Sequence, residues 1–431
     1  MMQYVVIDYL WYRKLKHGWF KTSAKSPGYD LIDKWGRPLP DPKRWPSTTG
    51  GKGFAPIAAK VHALGLKLGI HVMRGISTTA VKKKTPILGA FKSNGHAWNA
   101  KDIALMDQAC PWMQQCFVGI NTSSEGGKLF IQSLYDQYAS WGIDFIKHDC
   151  VFGAENPQLD EILTVSKAIR NSGRPMIYSL SPGDGATPGL AARVAQLVNM
   201  YRVTGDDWDD WKYLVKHFDV ARYQELHSLY SVNLHCFRDF ADAGLIAIPS
   251  VVGGKSWVDL DMLPFGRLTD PVAKSPLMFG GDLRRLDNET LSLLTNPTVL
   301  EVNSHSTGNR NAQGNDAERV WVAHGRGNGQ IYIAFFNLSR KKRTVTLPLV
   351  HLIQRRTPKN ETDEYVACAG NEAWSQKPVA VINVLAEEVA GHGTVLFSLL
   401  CNVGSREEVW FASVYNIFSH LSPLLLQGSS I

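Results

Sequence analysis

The sequence predicts an α/β fold in which an incomplete (β/α)8 barrel is followed by an antiparallel β-sandwich domain. Two observations lead to this prediction. From the N-terminus to about Gly281, amphipathic helices alternate with short apolar strands, the pattern of a parallel sheet covered by helices. From about Asn296 the apolar residues alternate with period two between Gly and Asn turns. With 431 residues, 44% of them hydrophobic, the chain can bury two large cores.

The predicted barrel is built from a repeated unit of one helix, one glycine and one apolar strand. The glycine ends the helix, and the strand that follows ends in polar residues. The clearest units are 54–64, Gly65 and 67–72; 130–141, Gly142 and 143–149; and 159–169, Gly173 and 176–180. A further strand is predicted over 197–201. No GxGxxG follows the first strand, which favours a barrel over a dinucleotide-binding sheet.

The change of pattern near Asn296 divides the chain. We predict a catalytic barrel domain over residues 1–295, a β-domain over 296–402 and an irregular tail over 403–431. The strands of the β-domain are marked by their period-two alternation. They are predicted over 319–323, 330–336, 343–347 and 394–399.

Composition and motifs exclude several classes of protein. The 46 basic residues are scattered, so no nucleic-acid partner is expected. The longest apolar stretch, 410–426, is interrupted by polar residues, so no membrane partner is expected either. Neither a CxxC pair nor a phosphate loop is present, and we therefore expect no metal and no cofactor. Cys110 and Cys116 could form a disulfide in a secreted protein, but two buried thiols fit the sequence as well.

Polar side chains follow the predicted strands at the points where the strands end. In a barrel these ends meet at one rim, where active sites lie. A single aspartate at a strand end reads as a helix N-cap, but carboxylates from four strands, together with a lysine and an arginine, indicate a site. The strand-end residues are Asp8, His71, Lys147, Asp149, Ser181, Arg202, Asp206, Asp259 and Asp261.

Several carboxylates without a His or Cys ligand cluster point to glycoside hydrolysis, which uses one carboxyl as acid and one as nucleophile or base. Lys147 lies two residues before Asp149 and shares its strand face, so it is expected to lower the pKa of that carboxyl. Asp206 is followed by further acids at 207, 209 and 210, which are expected to raise its pKa. A Ca²⁺ loop is the alternative for this acidic run, although the Gly and Glu of an EF-hand are absent.

The same motifs resemble glycoside hydrolase family 27, the melibiase-type α-galactosidases, over residues 3–402. In this chain, the segment Ser275-Pro-Leu-Met-Phe-Gly-Gly-Asp282 resembles the last barrel strand of that family. The other matching motifs are Ile-Asp8-Tyr-Leu-Trp11, Gly-Leu-Lys-Leu-Gly-Ile-His71, Trp-Gly-Ile-Asp-Phe-Ile-Lys-His-Asp149, Arg202-Val-Thr-Gly-Asp206 and Trp257-Val-Asp-Leu-Asp-Met262-Leu.

The resemblance implies a retaining enzyme with Asp149 as nucleophile and Asp206 as acid/base. It implies that terminal α-galactosyl or β-L-arabinopyranosyl groups of glycans are the substrates. It also implies secretion, or residence in the cell wall or vacuole, whereas the first eight residues carry no signal peptide. The residues expected to bind the sugar are Asp8, Tyr9, His71, Lys147, Ser181, Arg202, Asp261 and Met262.

Departures from the family pattern leave two hypotheses open. The family's first strand is absent, 263–275 is too short for a regular crossover, 223–238 is inserted, and the tail has no counterpart. Tyr9 stands where the galactosidases have a second acid, and Ser181 stands where they have a Cys-Glu-Trp segment. Tyr9 suits an arabinopyranoside, which has no hydroxymethyl group. The chain is therefore either an exo-glycosidase or a catalytically inactive, sugar-binding remnant of the same fold.

Overall fold

The computed structural model describes residues 3–14, 28–153, 157–207, 211–213, 215–217, 248–250, 254–259, 261, 278–280, 286–352 and 365–404. Within these residues the chain divides into two compact units. The first contains residues 3–206 and 248–261, and the second contains 207–217 and 278–404. The exact domain boundaries of the sequence analysis stay predictions.

The first unit is built on a sheet whose six main strands are parallel and lie side by side in chain order. A short strand, Ile248–Ser250, pairs antiparallel with the last of them. The order matches successive barrel units, as the sequence predicts. The six strands are β1 (Tyr4–Ile7), β2 (Lys67–Met73), β3 (Phe145–Phe152), β4 (Ile177–Pro182), β5 (Met200–Arg202) and β6 (Gly254–Asp259).

Of four helices that connect these strands in the described residues, three lie at the predicted places, and the fourth, Pro188–Val194, is not predicted from the sequence. Gly65 and Gly142 follow the first two helices with φ of +72° and +78°, in the left-handed region that glycine adopts without strain. No helix in the described residues is long and apolar enough to cross a membrane. The helices are α1 (Ala55–Ala63), α2 (Glu125–Ser140), α3 (Leu159–Asn171) and α4 (Pro188–Val194).

A region of short elements lies between β2 and α2, and no periodicity in the sequence predicts it. Its strands form one three-stranded and one two-stranded antiparallel sheet. The strands are Ile76–Ser77, Pro86–Phe91, Ala97–Asn99, Ala104–Ala109 and Phe117–Ile120, and the helices are Thr78–Lys83 and Ala100–Ile103.

The parallel sheet is open beside β1, as expected for an incomplete barrel. No strand in the described part of the chain pairs with the outer edge of β1. Val5 and Val6 of this strand are 44% and 36% exposed, unusual for a barrel strand. The predicted link 263–275 and insertion 223–238 lie outside the described residues, as does the tail after 404.

The second unit contains the predicted antiparallel β-sandwich. A pair of strands, Arg343–Pro348 and Val384–Val389, faces a six-stranded sheet whose strand order is Thr307–Asn315, Glu318–His324, Gln330–Asn337, Thr394–Gly404, Tyr365–Glu372 and Pro378–Ile382. Val345 and Leu385 of the small sheet share a buried cluster with Ile333 and Phe397 of the large one. The elements are α5 (Asn288–Leu294), α6 (Pro297–His305), β7 (Thr307–Asn315), β8 (Glu318–His324), β9 (Gln330–Asn337), β10 (Arg343–Pro348), β11 (Tyr365–Glu372), β12 (Pro378–Ile382), β13 (Val384–Val389) and β14 (Thr394–Gly404).

Candidate active site

The strand register brings most of the predicted site residues to one rim of the parallel sheet. His71 of β2 is paired with Lys147 of β3, and Asp259 of β6 is paired with Arg202 of β5. Asp8 directly follows β1. Arg202 and Asp259 end their strands as the sequence pattern predicts. The predicted end of β3 at Lys147 and Asp149 is wrong, because the apolar run 150–152 continues the strand past both residues.

Asp149 lies on β3 as a nearly buried carboxylate with three hydrogen-bonding partners. Its Oδ2 atom is 3.2 Å from Nε2 of His71, and its Oδ1 accepts bonds from Ser181 Oγ (2.7 Å) and the Cys150 amide (2.8 Å). Burial alone raises the pKa of Asp149, but His71, Ser181 and the charge of Lys147 outweigh it and lower the pKa below the usual value. Asp149 is therefore held as the carboxylate.

The predicted lysine partner of Asp149 makes its closest ion pair elsewhere. Lys147 Nζ lies 3.2 Å from Asp8 Oδ2, and the other oxygen of Asp8 accepts the Tyr9 amide at 2.7 Å. Burial opposes ionisation of both side chains, yet the pair raises the pKa of Lys147 and lowers that of Asp8. The two groups form a charged donor–acceptor pair at the rim, and His71 acts on Asp149 more strongly than Lys147 does.

Arg202 connects two further carboxylates. Its guanidinium is buried and lies 3.0 Å from Asp261 Oδ2 and 3.3 Å from Asp206 Oδ1. The side chain of Asp206 remains 63% exposed, so a ligand or water can reach its second oxygen. The arginine thus holds a solvent-accessible carboxylate at the end of β5.

The end of β6 adds a pair of buried acids. Asp261 has φ of +82°, and its amide donates to Asp259 Oδ1 at 2.8 Å. Burial raises the pKa of Asp259 to about 6, with Arg202 lowering it and Asp261 raising it further.

The remaining predicted residues are only partly described. Met262 and the acids at 209 and 210 lie outside the described residues. Asp207, the other acid of the run after Asp206, forms an ion pair with His217 at 2.9 Å.

Tyr9 and its surroundings contain contacts that the sequence does not reveal. The Tyr9 hydroxyl donates to Met113 Sδ at 2.8 Å, and the ring meets His71 edge-on at 5.3 Å. Cys110 forms a disulfide with Cys150 and not with Cys116. No motif marks Met113 as a site residue. The only signal in its neighbourhood is the pair of cysteines around it.

Comparison with known proteins places the chain among glycosidases. The family model Melibiase_2, described as alpha galactosidase A, matches residues 115–305. The family 27 β-L-arabinopyranosidase of Geobacillus stearothermophilus, solved with arabinose, has 32% identity and a TM-score of 0.74. That match covers 92% of this chain and 88% of the other.

Two plant proteins extend the comparison. Alpha-galactosidase 3 of Arabidopsis thaliana is 25% identical over 333 residues, 73% of this chain. Alpha-galactosidase 2 of the same plant is 30% identical over 183 residues, 40% of this chain. The chain spans 59% and 40% of the lengths of these two relatives.

Together with the barrel strands, the sandwich domain and the rim of carboxylates, these similarities confirm the resemblance seen in the sequence. The chain belongs to glycoside hydrolase family 27, the melibiase-type family.

Proposed function

We propose that the protein is a retaining exo-glycosidase that releases terminal β-L-arabinopyranosyl or α-D-galactosyl groups from glycans. The observation that carries this proposal is the state of Asp149. A glycosidase nucleophile must be ionised and shielded from bulk water, and Asp149 is nearly buried with a lowered pKa. The substrate class comes from two similar proteins, one named as a β-L-arabinopyranosidase and one as an alpha-galactosidase.

In the proposed reaction, Asp149 attacks the anomeric carbon while Asp206 protonates the leaving oxygen. The glycosyl–Asp149 ester then breaks when Asp206, now ionised, takes a proton from the attacking water. The exposure of Asp206 suits a group that must exchange protons with solvent. Its bond to Arg202 holds the carboxyl in position. We expect the two carboxyls to lie about 5–6 Å apart in the reacting complex.

The proposed sugar site uses ion-paired side chains as donors and acceptors. Asp8 and Lys147 offer a carboxylate and an ammonium group side by side, and Arg202 with Asp261 offers a second such pair. Charge-assisted bonds to hydroxyls are strong and directional, which favours a polyhydroxylated ring. The proposed reaction needs neither a metal nor a cofactor. Met262 remains a predicted contact.

Among the two sugars, we propose that the arabinopyranoside is preferred. Tyr9 occupies the position of an acid in the galactosidase pattern, and its hydroxyl already donates to Met113. The phenol therefore offers no free donor for the sugar's 4-hydroxyl, and the ring adds bulk on the side of a hydroxymethyl group. The similarity to an arabinopyranosidase supports this preference.

A catalytically inactive sugar-binding protein is the second candidate, because one observation favours it. In the described residues β1 has an unpaired edge with two exposed valines, so the barrel wall is incomplete next to Asp8. An incomplete wall gives water access to the site and leaves the side chains next to Asp8 more mobile, whereas catalysis needs them in a fixed geometry. This candidate predicts binding of the free sugar without turnover.

The deciding experiment is hydrolysis of p-nitrophenyl β-L-arabinopyranoside and p-nitrophenyl α-D-galactoside by the purified protein. The Asp149→Asn variant is the control for contaminating activity. NMR of the first sugar released is expected to show retention of the anomeric configuration. Release of the inverted anomer would rule out the retaining mechanism. Sugar binding by calorimetry with no hydrolysis above the Asp149→Asn level would support the second candidate.

We also propose that the protein works in an oxidising compartment. The disulfides Cys110–Cys150 and Cys368–Cys401 support this, because such bonds are rare in reducing compartments. Thiol titration of the denatured, native-source protein is expected to show four more thiols after reduction than before. Equal counts would contradict the proposal.

A further inference from the structure

The chain from Cys110 to Cys116 forms a compact turn beside the proposed nucleophile. The Met113 amide donates to the Cys110 carbonyl at 2.9 Å, and the Cys116 amide donates to the Met113 carbonyl at 2.8 Å. The disulfide ties Cys110 to Cys150, the residue after Asp149. The turn is therefore fixed to the same strand that carries the nucleophile.

Met113 lies fully buried at the centre of this turn, and its sulfur accepts the Tyr9 hydroxyl. Tyr9 is 38% exposed, so part of its ring faces solvent at the rim. Three contacts restrain it: its amide bonds to Asp8, its ring edge meets His71, and its hydroxyl bonds to Met113. Only the last of these holds the far end of the ring.

We propose that Met113 is a specificity-determining residue that acts by positioning Tyr9. It holds the phenol ring across the side of the pocket where the hydroxymethyl group of a galactoside would lie, while an arabinopyranoside has no atoms there. This inference rests on the proposed glycosidase function. A half-exposed tyrosine without this anchor can rotate about χ1 and χ2 and clear the space. The thioether is suited to the role because it is a polarisable acceptor in a fully buried position.

The test compares kcat/KM for the two nitrophenyl glycosides in Met113→Ala, Met113→Leu and wild type. For Met113→Ala we expect the arabinopyranoside-to-galactoside ratio to fall about five- to tenfold, mainly through a gain on the galactoside. Met113→Leu keeps most of the volume but removes the sulfur acceptor, so a smaller fall in the same direction is expected. Met176→Ala removes an equally buried methionine before β4 and is expected to leave the ratio unchanged.

A double-mutant cycle separates positioning from general loosening of the fold. If Met113 acts through Tyr9, Met113→Ala should not change the ratio further once Tyr9→Ala is present. An unchanged ratio in Met113→Ala, or the same fall in the presence and absence of Tyr9, would overturn the proposal.

A binding measurement keeps the inference testable if the protein does not hydrolyse either glycoside. In the Asp149→Asn background, calorimetry gives Kd for L-arabinose and D-galactose with Met113 and with Ala at position 113. A fall in the preference for arabinose supports the role of Met113 even where the proposed activity fails. Equal preference in the two proteins, or no binding of either sugar, contradicts it.

Discussion

Strand β3 has one aspartate directly before it and a second, Asp149, in its second half, and the two carboxylates have different surroundings. Asp144 precedes the strand and accepts three bonds, from Arg174 Nη2 (2.6 Å), His62 Nε2 (2.7 Å) and the Leu68 amide (2.9 Å). Although burial raises the pKa of Asp144, these contacts lower it overall. Asp144 thereby links β3 to β2, α1 and the start of β4, which is a structural task.

The opposite rim, around Asp149, leaves polar atoms without partners. His71 Nδ1 and Arg202 Nε are buried and have no hydrogen-bond partner among the described residues. An unsatisfied buried polar atom costs on the order of 1–3 kcal/mol. Unpaired atoms beside Asp149, in contrast to the fully bonded Asp144, are expected where polar groups are kept for a ligand. Similar residues around one strand therefore serve stability in one place and chemistry in the other.

The strongest test of this comparison is Asp149→Asn. We expect kcat to fall by about 10⁴-fold, because the amide cannot attack the anomeric carbon. The free energy of unfolding should also fall at neutral pH, because the pKa of Asp149 is lowered in the folded state and the neutral amide loses the charge-assisted bonds that lower it. Hydrolysis of the two nitrophenyl glycosides and urea unfolding measure the two effects. Activity above about a tenth of the wild-type level would refute the nucleophile assignment.

Asp259→Asn is expected to stabilise the protein at neutral pH. Burial raises the pKa of Asp259 to about 6, so between about pH 4 and pH 6 the folded state binds more protons here than the unfolded state does. Stability is therefore lost as the pH rises through this window, on the order of 3 kcal/mol in total. The variant should exceed wild type by that order at pH 7 and match it near pH 4. Urea unfolding from pH 4 to 8 measures this. A parallel pH dependence in both proteins would show that Asp259 does not titrate in this range.

Asp144→Asn should show the opposite sign. The pKa of Asp144 is lowered in the folded state, so its contribution is present above the unfolded pKa of about 3.9 and is lost as the pH falls through the folded value. We expect a loss of about 2 kcal/mol at pH 7 that shrinks towards low pH, with kcat/KM within about twofold of wild type. Asp136→Asn, an exposed position on α2, is the matched control and should cost less than about 0.5 kcal/mol. A loss of activity without a loss of stability would contradict the structural assignment.

Features marked by a pattern in neighbouring residues can be predicted from the sequence, and contacts between distant segments cannot. Strand ends follow directly from apolar runs at Asp8 and Arg202, so the pattern alone predicts these two positions, whereas β3 continues past Lys147 to Phe152. The contact between His71 and Asp149 needs the register of β2 against β3, which the pattern does not contain. The fold class and family are confirmed, whereas the individual site roles stay predictions.

Long-range contacts were beyond the sequence for a physical reason. Tyr9 and Met113 are 104 positions apart, and nothing in an irregular turn indicates which residue it will meet. The disulfide between Cys110 and Cys150 likewise joins a turn to a strand 40 positions away. Such pairs are determined by how the sheets of the region between β2 and α2 pack, and those sheets have short strands without a clear period.

The smallest expected effect concerns the choice of sugar at the functional rim. Tyr9→Asp replaces a bulky phenol bonded to Met113 with a short carboxylate beside Asp8. A second acid can accept from the sugar's 4- and 6-hydroxyls, and a missing partner of that kind discriminates more strongly than bulk alone. We expect the ratio of kcat/KM for the arabinopyranoside over the galactoside to fall about tenfold, with no change in the dependence on Asp149. Tyr12→Phe, at a fully buried tyrosine three positions further along the chain, should leave the ratio unchanged. If Tyr9→Asp leaves the ratio where it is, Tyr9 has no part in the choice of sugar and the arabinopyranoside preference loses its structural basis.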